Sequence, residues 1–97
     1  LENEIVIPKT SSSLFNSTNF EYVLRNLSID FLMIMGIVTD QCVETAVRDG
    51  CDKGFLVTLI EDACATHSQQ RHDESLKGVR GYCRIRNTDE LIKEIDN

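Results

Sequence analysis

Apolar positions along this chain follow two different spacings, and the switches between them outline its elements. Phe31-Leu32-Met33-Ile34-Met35 and Phe55-Leu56-Val57-Thr58-Leu59-Ile60 are almost continuously apolar and of strand length. Between them Val43, Ala46 and Val47 recur at helical spacing, and that helix is expected to stop at Asp52-Lys53-Gly54, with glycine just past its end. Upstream, Glu4 to Pro8 reads as a short strand ended by proline, followed by a Ser/Asn-rich loop from Thr10 to Ser17. Ser17 or Thr18 is placed to cap a helix whose Phe20, Val23, Leu24 and Leu27 share one face. Downstream, the pattern predicts a helix from about His67 to Val79, a strand over Tyr82 to Arg86, and a helix capped by Thr88 with Asp89 and Glu90 in its first turn.

Strands alternating with helices predict parallel pairing through right-handed crossovers, hence an α/β layered fold. Such a sheet is covered on both faces, so the apolar run Phe31 to Met35 is expected to be a central strand. The chain has too few strands to surround it. Partner strands are therefore expected from sequence outside this chain or from another chain.

Composition narrows the picture. Ninety-seven residues, 41% hydrophobic and with one proline, suffice for one small domain. A net charge of −6 argues against a nucleic-acid or anionic-membrane surface. Arg71, Lys77, Arg80, Arg84 and Arg86 make the stretch after residue 70 locally basic, which reads as a solvated face or a subunit contact. No run approaches the roughly 18 apolar residues of a membrane span and no signal peptide opens the chain, so a cytoplasmic location is the default expectation. Leu1 is not an initiator residue, which implies that something upstream has been removed.

Cys42, Cys51, Cys64 and Cys83 match no small secreted scaffold, and the regular pattern favours reduced, mostly buried thiols. There is no CxxC pair, and His67 and His72 lie in a polar stretch without a flanking ligand pair, so a zinc site is not expected.

Cys42 stands apart from the other three. In Gly36-Ile37-Val38-Thr39-Asp40-Gln41-Cys42-Val43-Glu44-Thr45-Ala46 an apolar strand passes through a short turn into a helix, and Cys42 opens that helix. The positive end of a helix dipole favours the thiolate, the reactive form of cysteine. A buried structural cysteine is the commoner role for a free thiol. A thiolate so placed attacks an amide or ureido carbonyl to give a thioester and an amine, and water releases the acid. The turn from Val38 to Cys42 supplies backbone amides for the tetrahedral oxyanion. Asp40 and Gln41 read as turn and helix-start residues, Asp62 as a turn or cap residue closing the third strand, and His67 as a helix-start side chain.

The Gly36 to Ala46 segment, followed by Arg48-Asp49 and then Glu61-Asp62-Ala63-Cys64, resembles the isochorismatase-like cysteine hydrolase superfamily. Pro8-Lys9-Thr10-Ser11-Ser12-Ser13-Leu14-Phe15-Asn16-Ser17-Thr18 is similar to that family's lysine segment, in which a lysine precedes a Ser-x-Phe-x-x-Thr pattern. The two segments occur in the family's order and cover most of residues 4 to 66. The resemblance implies a three-layer αβα, Rossmann-like, mostly parallel sheet, of which residues 1–97 are the C-terminal part of a single domain. It implies an Asp-Lys-Cys triad, with Cys42 matching the nucleophile and Lys9 the lysine that holds it as thiolate. By itself Lys9 reads as a solvated lysine after a strand. The family's aspartate lies at the end of the first strand and has no counterpart here. The same absent half would carry the metal ligands of the nicotinamidase branch, so no cofactor is expected from this half and metal dependence is left open.

The resemblance also implies a cis Ile37–Val38 peptide, with the amides of Val38 and Cys42 directed to one oxyanion. Phe15 and Asn16 could line a small substrate pocket, although core packing suits Phe15 equally well. The expected partners are a small-molecule substrate, the N-terminal segment of the same protein and further copies of the chain in a homo-oligomer. Biuret-like, ureidoacrylate-like, carbamoyl-amine and nicotinamide-like substrates all fit a thiol that attacks a planar carbonyl. A non-catalytic domain serving assembly is the alternative from a different class, and isochorismate-type vinyl ethers are the alternative substrate. A thiol redox protein is a weaker third reading, for want of a second cysteine near Cys42 in sequence.

Overall fold

The computed structural model describes residues 3–96. Its elements are α1 (Phe20–Asn26), β1 (Phe31–Ile37), one turn of π-helix (Thr39–Val43) running into α2 (Glu44–Asp52), β2 (Leu56–Ala65), α3 (Gln69–Val79), β3 (Arg84–Arg86) and α4 (Thr88–Asp96). The three strands form one parallel sheet in the order β1-β2-β3.

Both crossovers place their helices on the same side of the sheet. Val57 and Leu59 of β2 meet Val43 and Val47 from the cysteine turn and α2, and Leu76 and Val79 from α3, in a single core completed by Phe15, Leu24 and Phe55. Val47 and Val79 are fully buried there. Gly50 lets α2 lie close to β2, because a Cβ at that position would stand 3.3 Å from Val57 Cγ2. Side chains alternate along a strand, so Thr58 and Ile60 point to the other face. That face carries α4: Arg84, which donates to Thr58 Oγ1 at 3.1 Å, also pairs with Glu94 at 2.9 Å. The architecture is α/β with helices on both faces.

The cover is incomplete over β1. Phe31, Met33, Met35 and Ile37 project on the α4 side and are 54% to 74% exposed. Among the described residues β1 is thus an edge strand with one neighbour, and β2 holds the centre that the apolar run Phe31 to Met35 was expected to take.

Several boundaries differ from those expected, each for a local reason. Glu4 to Pro8 forms no strand and stays outside the sheet, with Ile5 and Val6 exposed. Neither Ser17 nor Thr18 is the N-cap of α1, which is Asn19, although Thr18 Oγ1 accepts the Phe20 amide at 3.1 Å. Phe55 spends its amide on Gly50 O, closing α2, so β2 starts at Leu56. It then runs to Ala65 rather than Ile60, because past a register shift Cys64 and Ala65 pair with Gly36 and Ile37. Gly54 supplies the positive φ, 94°, that ends α2. α3 begins at Gln69 behind Ser68, whose Oγ accepts the Arg71 amide. β3 is shorter than Tyr82 to Arg86, since the amides of Tyr82 and Cys83 both bond Val79 O at the end of α3 and cannot join a ladder. The cap of α4 is Asn87, not Thr88: Asn87 and Glu90 exchange side-chain to backbone hydrogen bonds in a capping box. Thr88 instead donates its amide and hydroxyl to Asp62 Oδ1, at 2.9 and 2.7 Å. Asp62 lies within β2 rather than at its end, and ties α4 to that strand.

Candidate functional site

β1 ends at Ile37, and the next six residues turn the chain back into α2. Gly36, with φ 137°, occupies backbone space that other residues rarely enter, and the Ile37–Val38 peptide is cis. The C-terminal end of a parallel strand, leading into a helix, is where α/β sheets present functional side chains.

Cys42 is placed by that turn and is half-buried. Its Sγ lies 3.1 Å from Val38 N, which donates to it, and 2.8 Å from Ile37 O. The thiol is therefore held against the backbone of the turn. Within the turn, the amides of Gln41 and Val43 both donate to Val38 O, at 3.2 and 3.3 Å.

The other three thiols sit in less reactive settings. Burial pushes Cys83 up to about 11 and, by a smaller margin, raises Cys51 and Cys64. Cys51 donates to Tyr82 O and Cys64 to Ile60 O. Cys64 pairs across the sheet with Gly36, so the fold brings a second thiol into the electrostatic neighbourhood of Cys42 although the two are distant in sequence.

Lys9 is exposed, and its Nζ donates to the carbonyls of Ser11 and Ser12 at 2.9 and 3.3 Å. No hydrogen bond joins it to Cys42 among the described residues. Phe15 is 8% exposed, 5.3 Å from the Phe20 ring and stacked at 5.9 Å on Phe55, so it serves the core. It also borders a hollow of about 210 Å³ with Leu14, Leu32, Met33 and Met35. Asn16 is exposed, with its amide bonded to Ser13 O. No group of three or more His, Cys, Asp or Glu side chains suited to a metal ion occurs among the described residues.

Sequence reasoning passed over the surroundings of Thr39 and Asp40. Thr39 is completely buried, and its Oγ1 lies 2.9 Å from His72 Nδ1. Its carbonyl accepts from Ser75 Oγ at 3.3 Å. Asp40 Oδ1 accepts from Thr66 Oγ1 at 2.6 Å, while Oδ2 accepts from Arg71 Nε and Nη2 at 2.7 and 2.6 Å. The Thr66 hydroxyl and the Arg71 guanidinium hold the Asp40 carboxyl below its ordinary range, against an opposing contribution from desolvation.

That direction fixes a pH dependence. With the folded value depressed, the stabilisation by ionised Asp40 is fully present above the unfolded value, about 3.9, and is lost as pH falls through the lower folded one. Asp40→Asn should therefore lower the urea midpoint at pH 7, and the deficit should shrink at pH 3. Equal deficits at the two pH values would show that the carboxylate charge is not what matters.

Comparison with known proteins bears on the family and the fold. Residues 1–90 match the family model described as Isochorismatase domain. The chain is 30% identical over 95 residues to the uncharacterized isochorismatase family protein YecD of Escherichia coli O157:H7, covering 97% of this chain and 50% of that protein. It is 40% identical over 60 residues to the ureidoacrylate amidohydrolase RutB of Agrobacterium fabrum, covering 62% and 26% respectively. Among solved structures, a cysteine hydrolase from Pseudomonas syringae pv. phaseolicola superposes with a TM-score of 0.93 at 26% identity, over 99% of this chain and 51% of that one. The chain thus spans about half the length of YecD and of that hydrolase.

Proposed function

This chain belongs to the isochorismatase family, and from that premise we propose that it carries the nucleophile of a cysteine hydrolase that cleaves a C–N bond in a small amide or ureido compound. The observation that carries the reading is the seat of Cys42: a half-buried thiol at the C-terminal end of a parallel strand, 3.1 Å from the Val38 amide. The amidohydrolase activity named for RutB points the same way.

In this mechanism the thiol proton passes to a general base, and the thiolate adds to the substrate carbonyl carbon. The oxyanion that develops is met by the backbone amides of Val38 and Cys42. The amide of Val38 bonds Sγ in the resting chain, so it is already within reach of an oxygen on a carbon attached to that sulfur. The C–N bond then breaks and the amine leaves with the proton returned by the base. The base takes a proton from water as it adds to the thioester, the C–S bond breaks, and the acid departs as the thiolate reforms.

Lys9 is assigned the cation that stabilises the thiolate, and the general base is assigned to an aspartate outside this chain. Both assignments require a companion segment. Lys9 is turned to its own loop here, and the bare face of Phe31, Met33, Met35 and Ile37 is where such a segment would pack. The occupant favoured is the N-terminal half of the same domain, because the chain covers half of YecD. The same bare face, and the lack of a Lys9–Cys42 hydrogen bond among the described residues, favour the second reading, a fold unit serving assembly without turnover of its own.

Thiol labelling tests the first reading. Iodoacetamide at neutral pH should alkylate Cys42 fastest and Cys83 slowest, because reaction follows the thiolate fraction and burial suppresses it at the other three thiols. Peptide mapping by mass spectrometry resolves the four rates. Equal labelling would remove the case for a reactive cysteine.

A further inference from the structure

The cysteine turn is held from outside, and the residues that hold it lie together on α3. A π-type turn is a rare geometry; the amides of Gln41 and Val43 close this one on Val38 O and the Glu44 amide on Thr39 O and Gln41 O, and ties from outside add to these in fixing where its atoms sit. Ser75 stands four residues after Arg71 and three after His72, the spacings that bring helix residues together on one side. Each meets the turn at one of two consecutive residues. Arg71 takes Asp40 Oδ2 through two nitrogens, His72 takes the hydroxyl of Thr39, and Ser75 takes the Thr39 carbonyl. Ser75 has a single hydroxyl proton, which it shares between Thr39 O and the nearer Glu44 Oε1 at 2.6 Å, and Glu44 is paired with Arg48, so the start of α2 is tied in as well. From the opposite side Thr66, just past β2, bonds the free oxygen of Asp40.

Burial makes these ties costly to lose. Thr39 is 0% exposed and Ser75 is buried, so an unpartnered hydroxyl at either position would forfeit its bonds to water without compensation. Among the described residues the hydrogen bonds of the Cys42 sulfur go to Ile37 and Val38, the residues immediately before the clamped pair.

We infer that the first half of α3 is a clamp for the nucleophile turn, with Arg71, His72 and Ser75 as positioning residues that act through Thr39 and Asp40 to keep the Val38 amide against Cys42 Sγ. The inference rests on the assignment of Cys42 as nucleophile for its catalytic meaning, but the clamp can be read without substrate.

The test is amide hydrogen exchange on the full chain, together with alkylation of Cys42 relative to Cys51 in the same molecule, for Arg71→Ala, Arg71→Lys and His72→Ala. Exchange at Val38, Gln41 and Val43 is expected to rise at least tenfold in the two alanine variants, with Val57 and Leu59 in β2 unchanged. The Cys42 to Cys51 alkylation ratio is expected to shift at least threefold. Arg71→Lys, which keeps the charge and loses the two-nitrogen grip, should fall between wild type and Arg71→Ala. Arg71 is exposed, so its variants retain a folded chain even if His72→Ala does not. Unchanged exchange at the three turn amides, or equal acceleration there and in β2, would overturn the clamp. A loosened turn with undiminished turnover in the assembled protein would uphold the clamp as a structural device and refute its positioning role in catalysis.

Discussion

Cys42→Ala in the assembled protein, this chain together with the segment that covers β1, should lose turnover by several orders of magnitude while keeping its fold. The thiol is half-buried at a turn and contributes little to the packed core, whereas in the proposed reaction it forms the bond on which every later step depends. A lost nucleophile leaves only the oxyanion donors and substrate binding, so the fall should appear in kcat. Lys9→Ala should cost less than Cys42→Ala but still orders of magnitude, again mainly in kcat, because it removes a charge that matters once the thiolate exists. Cys51→Ala is the control: its thiol bonds Tyr82 O behind α2, remote from the turn, and its removal should leave kcat close to wild type. Steady-state kinetics on a panel of small amides and ureido compounds, with thermal unfolding of each variant, checks all three. Near-normal turnover by Cys42→Ala would rule out covalent catalysis.

The second large effect concerns assembly. Burying a side chain such as Phe31 or Ile37 stabilises by roughly 1.5 to 3 kcal/mol, and four of them lie bare along one strand. Adding the proposed N-terminal half should therefore produce a stable one-to-one complex and bring hydrolysis from background to a measurable rate. Size-exclusion chromatography with light scattering, run beside an amidase assay, follows both. A second copy covering the same face would appear as a homodimer without activity. A monomer that is fully active alone would show that no companion is required.

Much of this arrangement was legible from residue order. The continuous run Phe31 to Met35, the helical recurrence of Val43, Ala46 and Val47, and Gly54 with its positive φ place Cys42 between a strand and a helix without any tertiary information. Local chemistry also explains where the reading slipped. Asn87 rather than Thr88 caps α4 because Glu90, three residues on, completes a box with Asn87, while Thr88 is drawn to Asp62 across 26 residues. The strand expected at Glu4 to Pro8 has a strand-like sequence but is extended chain outside the three-stranded sheet.

What the sequence could not display is contact between distant segments. Thr39, Asp40, Arg71, His72 and Ser75 look like ordinary turn and helix-surface residues until the crossover from β2 sets α3 beside the cysteine turn, 31 to 36 residues away. The polar spacing of Arg71, His72 and Ser75 on a helix that also buries Leu76 and Val79 was the one available signal. Cys64 was hidden in the same way, since only the shifted register of β1 and β2 sets it opposite Gly36.

The central claim is that Cys42 becomes acylated during turnover, and one measurement addresses it directly. The assembled protein is mixed with a small amide substrate, quenched in acid within the first turnovers, digested and mapped by mass spectrometry. The account predicts the acyl group as a thioester on the peptide carrying Cys42, formed in step with the first amine released and absent from the peptides of Cys51, Cys64 and Cys83. Amine released at full rate with Cys42 unmodified throughout, or an acyl group found on another residue, would contradict it.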